Sequence, residues 1–249
     1  MGKMIAVCGS PNSGTTTLSL KLAKYIYDNN KNIKVILVSP DVTIPTLGYI
    51  FPKANAKNIF SLGVTLNKTD VFKEDVIKQF VTTNTMRDFA VLGFMLGENR
   101  YSYPEPTEDK ICQLFNSLKE LDENCIIVAD CTSNDSDLIS TIAKRECDVA
   151  IQILNPTIKS MVYYGSCINQ FLMIEGKKIQ VINTLDNDIY LPFDDVIKMC
   201  GETTFTVPYS RAIKQQMITG TLTENLHDGK YIKAIGEISK AVMSDVQNS

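Results

Sequence analysis

The sequence predicts an α/β fold: a doubly wound, mostly parallel sheet with helices on both faces. Two observations carry the prediction. Short β-rich runs alternate with longer helical patterns along the chain. Several of those runs, CIIVA and VAIQIL among them, are apolar nearly throughout, as strands covered on both faces are. A third consideration directs the search for function. Ligands in such sheets sit beyond the carboxyl ends of the strands, so the residues that follow each strand are the first candidates.

The elements follow in order. The first strand is Met4–Cys8, and the glycine-rich turn after it leads into a helix over Thr15–Asn29. A second strand covers Lys34–Val38, and a helix is expected over Lys68–Thr82. A third strand, Asp88–Leu92, leads to Gly97–Pro106, whose sequence GENRYSYPEP marks an exposed irregular loop. A helix over Thr107–Leu121 starts at a capping threonine, and the strand Cys125–Ala129 follows. The helix Ser136–Lys144 starts at a serine before Asp137. The remaining pattern reads strand Asp148–Leu154, helix Ile158–Glu175, strand Lys178–Ile182, helix Phe193–Met199, strand Thr203–Val207, helix Ser210–Ile218 and helix Lys230–Val246. Ile232, Ile235, Ile238 and Val242 recur at helical spacing in the last of these, which reads as the closing helix of the domain.

A length of 249 residues suits one α/β domain over residues 1–249, with no repeat or linker. The net charge of -3 argues against a surface devoted to nucleic acid, which needs clustered Lys and Arg. Seven cysteines occur, none as CxxC, and no signal peptide precedes the first strand; a reducing cytoplasm with free thiols is expected. No apolar run reaches the roughly 18 residues of a membrane span. His227 is the single histidine, which excludes a multi-histidine metal site.

The stretch Gly9, Ser10, Pro11, Asn12, Ser13, Gly14, Thr15, Thr16, Thr17 has the glycine spacing of a phosphate-binding loop, G-x-x-x-x-G-K-[ST], between a strand and a helix. Backbone N–H groups in such a loop form an anion nest, and the helix adds its positive end. Thr16 holds the position whose hydroxyl ligates Mg²⁺. Thr15 holds the lysine position. A neutral hydroxyl there forgoes a charge-assisted bond of roughly 1.5–3 kcal/mol, and hydrolysis suffers more, because charge builds on the transferring phosphoryl group. From the loop alone, a strand–helix turn that binds nothing stays open.

Later segments narrow the choice. In order they are VILVSPDVTIPTLG, CIIVADCTSNDSD, ECDVAIQILNPTIKS, KKIQVINTLDND and TTFTVPYSRAIKQQMITG. In order and spacing these resemble the motifs of the ParA/MinD superfamily of deviant phosphate-loop ATPases, from Met4 to about Val242, and within it the CpaE/TadZ-type branch. The resemblance implies a nucleotide-dependent homodimer that binds ATP or ADP with Mg²⁺, and a protein partner in a positioning, secretion, pilus or partition system. It implies roles position by position. Asp41 matches the switch I aspartate that orients the attacking water. Asp130 matches the Walker B aspartate that holds Mg²⁺. Asn183 matches the asparagine that contacts adenine, and Pro208 lies in the segment that closes over the base. Asn155-Pro156 matches the turn after the family's fifth strand. Each has a plainer reading: an Asx turn for Asp41, a strand-end cap for Asn183, a turn for Pro208.

The departures from the family pattern fall on the catalytic machinery. A second, earlier lysine that reaches the partner's nucleotide is Ser10 here. The first switch I acid is Ser39. Switch II reads Asp130-Cys131-Thr132-Ser133-Asn134, without proline or glycine, and Thr184 replaces a common arginine. The expectation is nucleotide binding with slow or absent hydrolysis; a scaffold that binds none and a DNA-partitioning ATPase are the alternatives. Lys3, Lys21 and Lys24 lie outside the loop and are the nearby lysines that could replace its missing charge. Arg211, Lys214, Lys230, Lys233 and Lys240 form either a DNA patch or a solvated helix face, the latter favoured by the acidic balance. Phe94-Met95-Leu96 is either a buried extension of its strand, the favoured reading, or an exposed patch for a partner.

Overall fold

The computed structural model describes residues 1–46, 48, 60–83, 86–186, 190–201 and 205–248. The chain runs β1 (Lys3–Gly9), α1 (Thr15–Asn29), β2 (Lys34–Ser39), α2 (Leu62–Leu66), α3 (Lys73–Ile77), β3 (Val81–Thr83) and β4 (Met86–Gly93). It continues with α4 (Glu108–Lys119), β5 (Cys125–Asp130), α5 (Leu138–Glu146), β6 (Val149–Leu154), α6 (Ile158–Ser166) and α7 (Ile168–Leu172). It ends with β7 (Lys178–Asn183), α8 (Phe193–Cys200), β8 (Phe205–Val207), α9 (Arg211–Thr219) and α10 (Gly229–Asn248). The strands form one sheet in the order β3-β4-β2-β5-β1-β6-β7-β8. Neighbours pair in parallel except β3 with β4, which are antiparallel.

The inner strands are mostly apolar because both faces are covered. Along β1, Ile5 and Val7 enter one core with Leu18 and Leu22 of α1 and Ile235 and Ile238 of α10. Met4, Ala6 and Cys8 enter the other, with Leu114 and Phe115 of α4 and Ile142 of α5. A smaller cluster of Leu154, Met161, Ile182, Val196 and Cys200 packs α6 and α8 against β6 and β7. Helix α1 is buried from Thr17 to Ala23, held between the sheet and α10. The stripe predicted on the last helix is core: Ile235, Ile238 and Val242 are buried, and Ile232 lies at its rim. No described helix is long and apolar enough to cross a membrane.

Four local expectations are corrected. The helix predicted over Lys68–Thr82 is only the short α3, and Val81 is in β3, which pairs with Val91 at the sheet edge. Helix α2 lies in a stretch with no expected element. The helix predicted over Ile158–Glu175 breaks at Cys167, whose φ of -106° and ψ of 20° leave the helical region between α6 and α7. The cap of α5 is Asp137 rather than Ser136: its carboxylate accepts from Ser140 N. Thr203, the expected start of the eighth strand, lies outside the described residues. Of Phe94-Met95-Leu96, Phe94 is buried and Leu96 is exposed.

Candidate functional site

Strand order reverses direction at β1, which lies between β5 and β6 while β2 lies beyond β5. Because these strands are parallel, Gly9, Asp130 and Leu154 end at the same edge, where a doubly wound sheet opens a crevice. The phosphate-loop sequence occupies this crevice. Its backbone turns through left-handed Asn12 (φ 59°) and Gly14 (φ 88°), with Ser13 N donating to Ser10 O. Gly14 is the N-cap of α1, and no side chain caps the helix. The first helical bond runs from Leu18 N to Gly14 O, so the N–H groups of Thr15, Thr16 and Thr17 precede the first helical bond and are free for an anion. No acidic residue occupies the first turn.

Two further observations fit a phosphate chain in this cradle. The Ser13 hydroxyl is fully buried without a hydrogen-bond partner. A buried hydroxyl left unpaired costs about 1–3 kcal/mol, and an oxyanion would satisfy it. A Cβ on Gly9 would lie 2.5 Å from the Ser13 hydroxyl and 2.9 Å from Ile153 O, so the loop closes to its full depth only with glycine there. Gly14 is constrained twice, by its positive φ and by Asn183 Nδ2, 2.6 Å from where a Cβ would stand. Gly14→Ala is expected to lower unfolding stability by about 1–3 kcal/mol and to abolish the loop's anion site. Denaturant unfolding and a phosphate-binding titration on the same variant check both effects.

Thr16 and Asp130, the residues expected to hold Mg²⁺, lie side by side. The Thr16 hydroxyl lies close enough to the Asp130 carboxyl to lower its pKa, and Ser19 Oγ lies 3.3 Å from Asp130 Oδ1 while also bonding Thr15 O. Burial pushes the Asp130 carboxyl up to about 7; the Thr16 and Ser19 hydroxyls oppose that, and the nearby Asp41 charge adds to it. A hydroxyl and one carboxylate suit Mg²⁺, which keeps most of its waters. Among the described residues no three His, Cys, Asp or Glu groups gather as a denser metal site. Ser19 was missed by the sequence reading, although its spacing of three from Thr16 puts both on one helix face.

Asp41 makes the plainer contact foreseen for it: Oδ1 accepts from Thr43 N and Ile44 N, an Asx turn. Its charge nevertheless reaches Asp130. Asn183 is buried, and its Nδ2 donates to Ser13 O at 2.8 Å, so this amide braces the phosphate loop. Asn155 Nδ2 donates in turn to Asn183 O. Pro208 follows β8, where Val207 O accepts from both Thr184 N and Thr184 Oγ1. Pro11 and Thr17 lie in the loop and at its helix; Thr17 Oγ1 rests 3.7 Å from Met217 Sδ of α9.

The fold has known counterparts. The chain superposes on the ParA family ATPase of Chlorobium tepidum with a TM-score of 0.77 at 12% identity, covering 96% of this chain and 99% of that one. It superposes on the MinD of Pyrococcus horikoshii, solved with Mg-ADP, with a TM-score of 0.73 at 17% identity, covering 98% and 99%. The MinC:MinD complex of Aquifex aeolicus gives 0.75 at 14% identity, covering 98% and 96%. The fold is that of the MinD and ParA ATPases. No family model matches the sequence, and comparison with curated protein sequences gives no match.

Within this MinD/ParA fold, the positions that departed from the family pattern are engaged locally. Ser10 is buried and donates to Ser160 Oγ of α6 at 2.8 Å. Ser39 is buried and shares a hydrogen bond with Thr46. In the segment after β5, Thr132 N donates to Ser140 Oγ, and Tyr163 of α6 donates to Ser133 O. None of the three nearby lysines enters the loop. Lys3 pairs with Asp148 and Lys24 with Asp28. Lys21 is buried and donates to Gln216 Oε1, Leu222 O and Glu224 O; burial pulls its pKa down to about 8. A cavity of about 700 Å³ lies on the switch side of the site, between residues 40–44, 99–106 and 132–139.

Proposed function

We propose that this chain is a cytoplasmic ATP-binding switch of the ParA/MinD type, on the CpaE/TadZ-like side of that group. It dimerises with ATP bound, positions or regulates a cellular assembly through a protein partner, and hydrolyses ATP weakly or not at all. The supporting observation is the division within the site. The loop backbone, the unpaired Ser13 hydroxyl and the Thr16–Asp130 pair fit phosphate and Mg²⁺, whereas Thr15 and Ser10 bring no charge.

In this reading Gly9–Thr17 hold the phosphates by backbone N–H groups and the end of α1. Bound Mg²⁺ would neutralise charge on the phosphates, held by Thr16 and Asp130. Asn183 and Asn155 keep the loop in its binding shape from β7 and β6. Asn183 Oδ1 and the Pro208 segment stand on the base side. Asp41 orients water near the terminal phosphate, but the transferring group meets no lysine, and the transition state gains least.

Calorimetry with ATP and ADP in Mg²⁺, followed by turnover and sedimentation, tests the reading. Micromolar to millimolar binding, little turnover and ATP-favoured dimers are expected. Turnover typical of working ATPases refutes weak hydrolysis, and no binding of either nucleotide leaves a scaffold. Arg211, Lys214, Lys230, Lys233 and Lys240 are all exposed. Salt-sensitive, ATP-dependent DNA binding would therefore favour a partitioning ATPase instead.

A further inference from the structure

The phosphate loop lacks a cation, and Lys3, Lys21 and Lys24 are engaged elsewhere. Another cation lies in the cavity on the Asp41 side of the site. Arg100 lines the 700 Å³ cavity together with Asp41 of the switch I segment and Thr132, Ser133 and Asn134 of switch II. It is exposed, its guanidinium carbon lies 4.9 Å from the centroid of the Tyr101 ring, and no carboxylate pairs with it among the described residues. We propose that Arg100 supplies the cationic contact to the terminal phosphate of a bound nucleoside triphosphate that the loop itself cannot make.

The loop that carries Arg100 is built rather than loose. Glu98 accepts from Ser61 Oγ at 2.7 Å, Met95 N at 2.6 Å and Tyr103 Oη at 2.6 Å. The Tyr103 ring lies over Gly63, where a Cβ would stand 2.2 Å from it. Asn99 Oδ1 accepts from Tyr101 N, Ser102 Oγ accepts from Asn99 N, and Ser102 N donates to Asn99 O. The turns on either side of Arg100 are therefore held by these bonds together with Glu98 N to Met95 O, while its side chain is exposed. The loop sits at the carboxyl end of β4, whose neighbour β2 leads into Asp41. A guanidinium stays charged at every working pH and can grip two phosphate oxygens at once. Placed against the switches, it meets the terminal phosphate and not the first two, which belong to the loop and the end of α1.

This inference rests on the proposed nucleotide site, and the experiment separates the two. ATP and ADP are titrated in Mg²⁺ by calorimetry into the wild type, Arg100→Ala and Arg100→Lys. The expected result is ATP affinity about 10-fold to 100-fold weaker in Arg100→Ala, partial recovery in Arg100→Lys, and ADP affinity unchanged in both. Thermal unfolding of the exposed-site variants should match the wild type. Equal ATP and ADP affinities across all three proteins overturn the role of Arg100 and leave the nucleotide site standing. Parallel loss of ATP and ADP binding in Arg100→Ala also overturns it, since the contact would not be to the terminal phosphate. A wild type that binds neither nucleotide overturns both.

Discussion

Thr15→Lys is expected to tighten ATP binding by one to two decades and to raise turnover by more. Thr15 is the first residue of α1, partly exposed, and beyond the bond its carbonyl takes from Ser19 it holds the helix start with its backbone. Its replacement therefore leaves the left-handed turns at Asn12 and Gly14 and the Asn183 brace in place. A lysine adds one charge-assisted bond to phosphate, worth roughly 1.5–3 kcal/mol, or about 10-fold to 100-fold in affinity. The rate gains further because negative charge concentrates on the transferring group in the transition state. Calorimetry and phosphate-release assays on the same preparation measure both. An unchanged protein would mean that the loop backbone no longer accepts phosphate at all.

Asp130 governs the second large effect. Burial raises its carboxyl to about 7, above the ordinary aspartate value near 4, so the folded protein holds a proton that the unfolded chain releases in between. The sign follows directly. Stability from this group is fully present below pH 4, declines as the pH rises, and is gone above about pH 7. The total is about 4 kcal/mol as an upper bound, from about 1.4 kcal/mol for each pH unit crossed. Asp137, also raised by burial, acts in the same sense, whereas the lowered Asp75, Asp122 and Asp228 act oppositely. The difference between wild type and Asp130→Asn isolates the group. Urea unfolding of the ligand-free proteins from pH 4.5 to 8 should show the wild type losing stability relative to the variant across that range. Parallel profiles would mean that Asp130 is charged and solvated in the folded state.

The sheet was legible because its inner strands are buried on both faces, so β1, β5 and β6 read as nearly continuous apolar runs. Where burial is one-sided the reading failed. Strand β3 is a three-residue edge piece, and the helical pattern upstream of it extended across the boundary. The break at Cys167 follows Gly165 by two residues, a glycine that the continuous helical pattern passed over; packing of Phe171 beside Tyr163 and Tyr164 accompanies the break. Gly9, Gly14, Thr16 and Asp130 could be placed from sequence because loop geometry and strand ends dictate their positions. Asn183 was expected to contact a base, whereas its amide donates to the Ser13 carbonyl, a bond that depends on how β7 sits beside the loop and that spacing does not encode. Arg100 was hidden in a loop read as irregular, since the contacts that shape that loop come from Ser61 and Gly63, far earlier in the chain.

The bond from Ser10 to Ser160 has a consequence for how two copies of this chain would communicate. A loop side chain that ends inside its own subunit gives a neighbour's ligand nothing to touch. Coupling between sites is a shared free energy, and it exists only where each state is felt by the other site. With Ser10 turned inward, that direct route is closed, and each cradle answers to its own occupant. Any cooperativity in such a pair must travel through the helices, by way of α6 and the switch II carbonyl it holds, rather than hand to hand across the join.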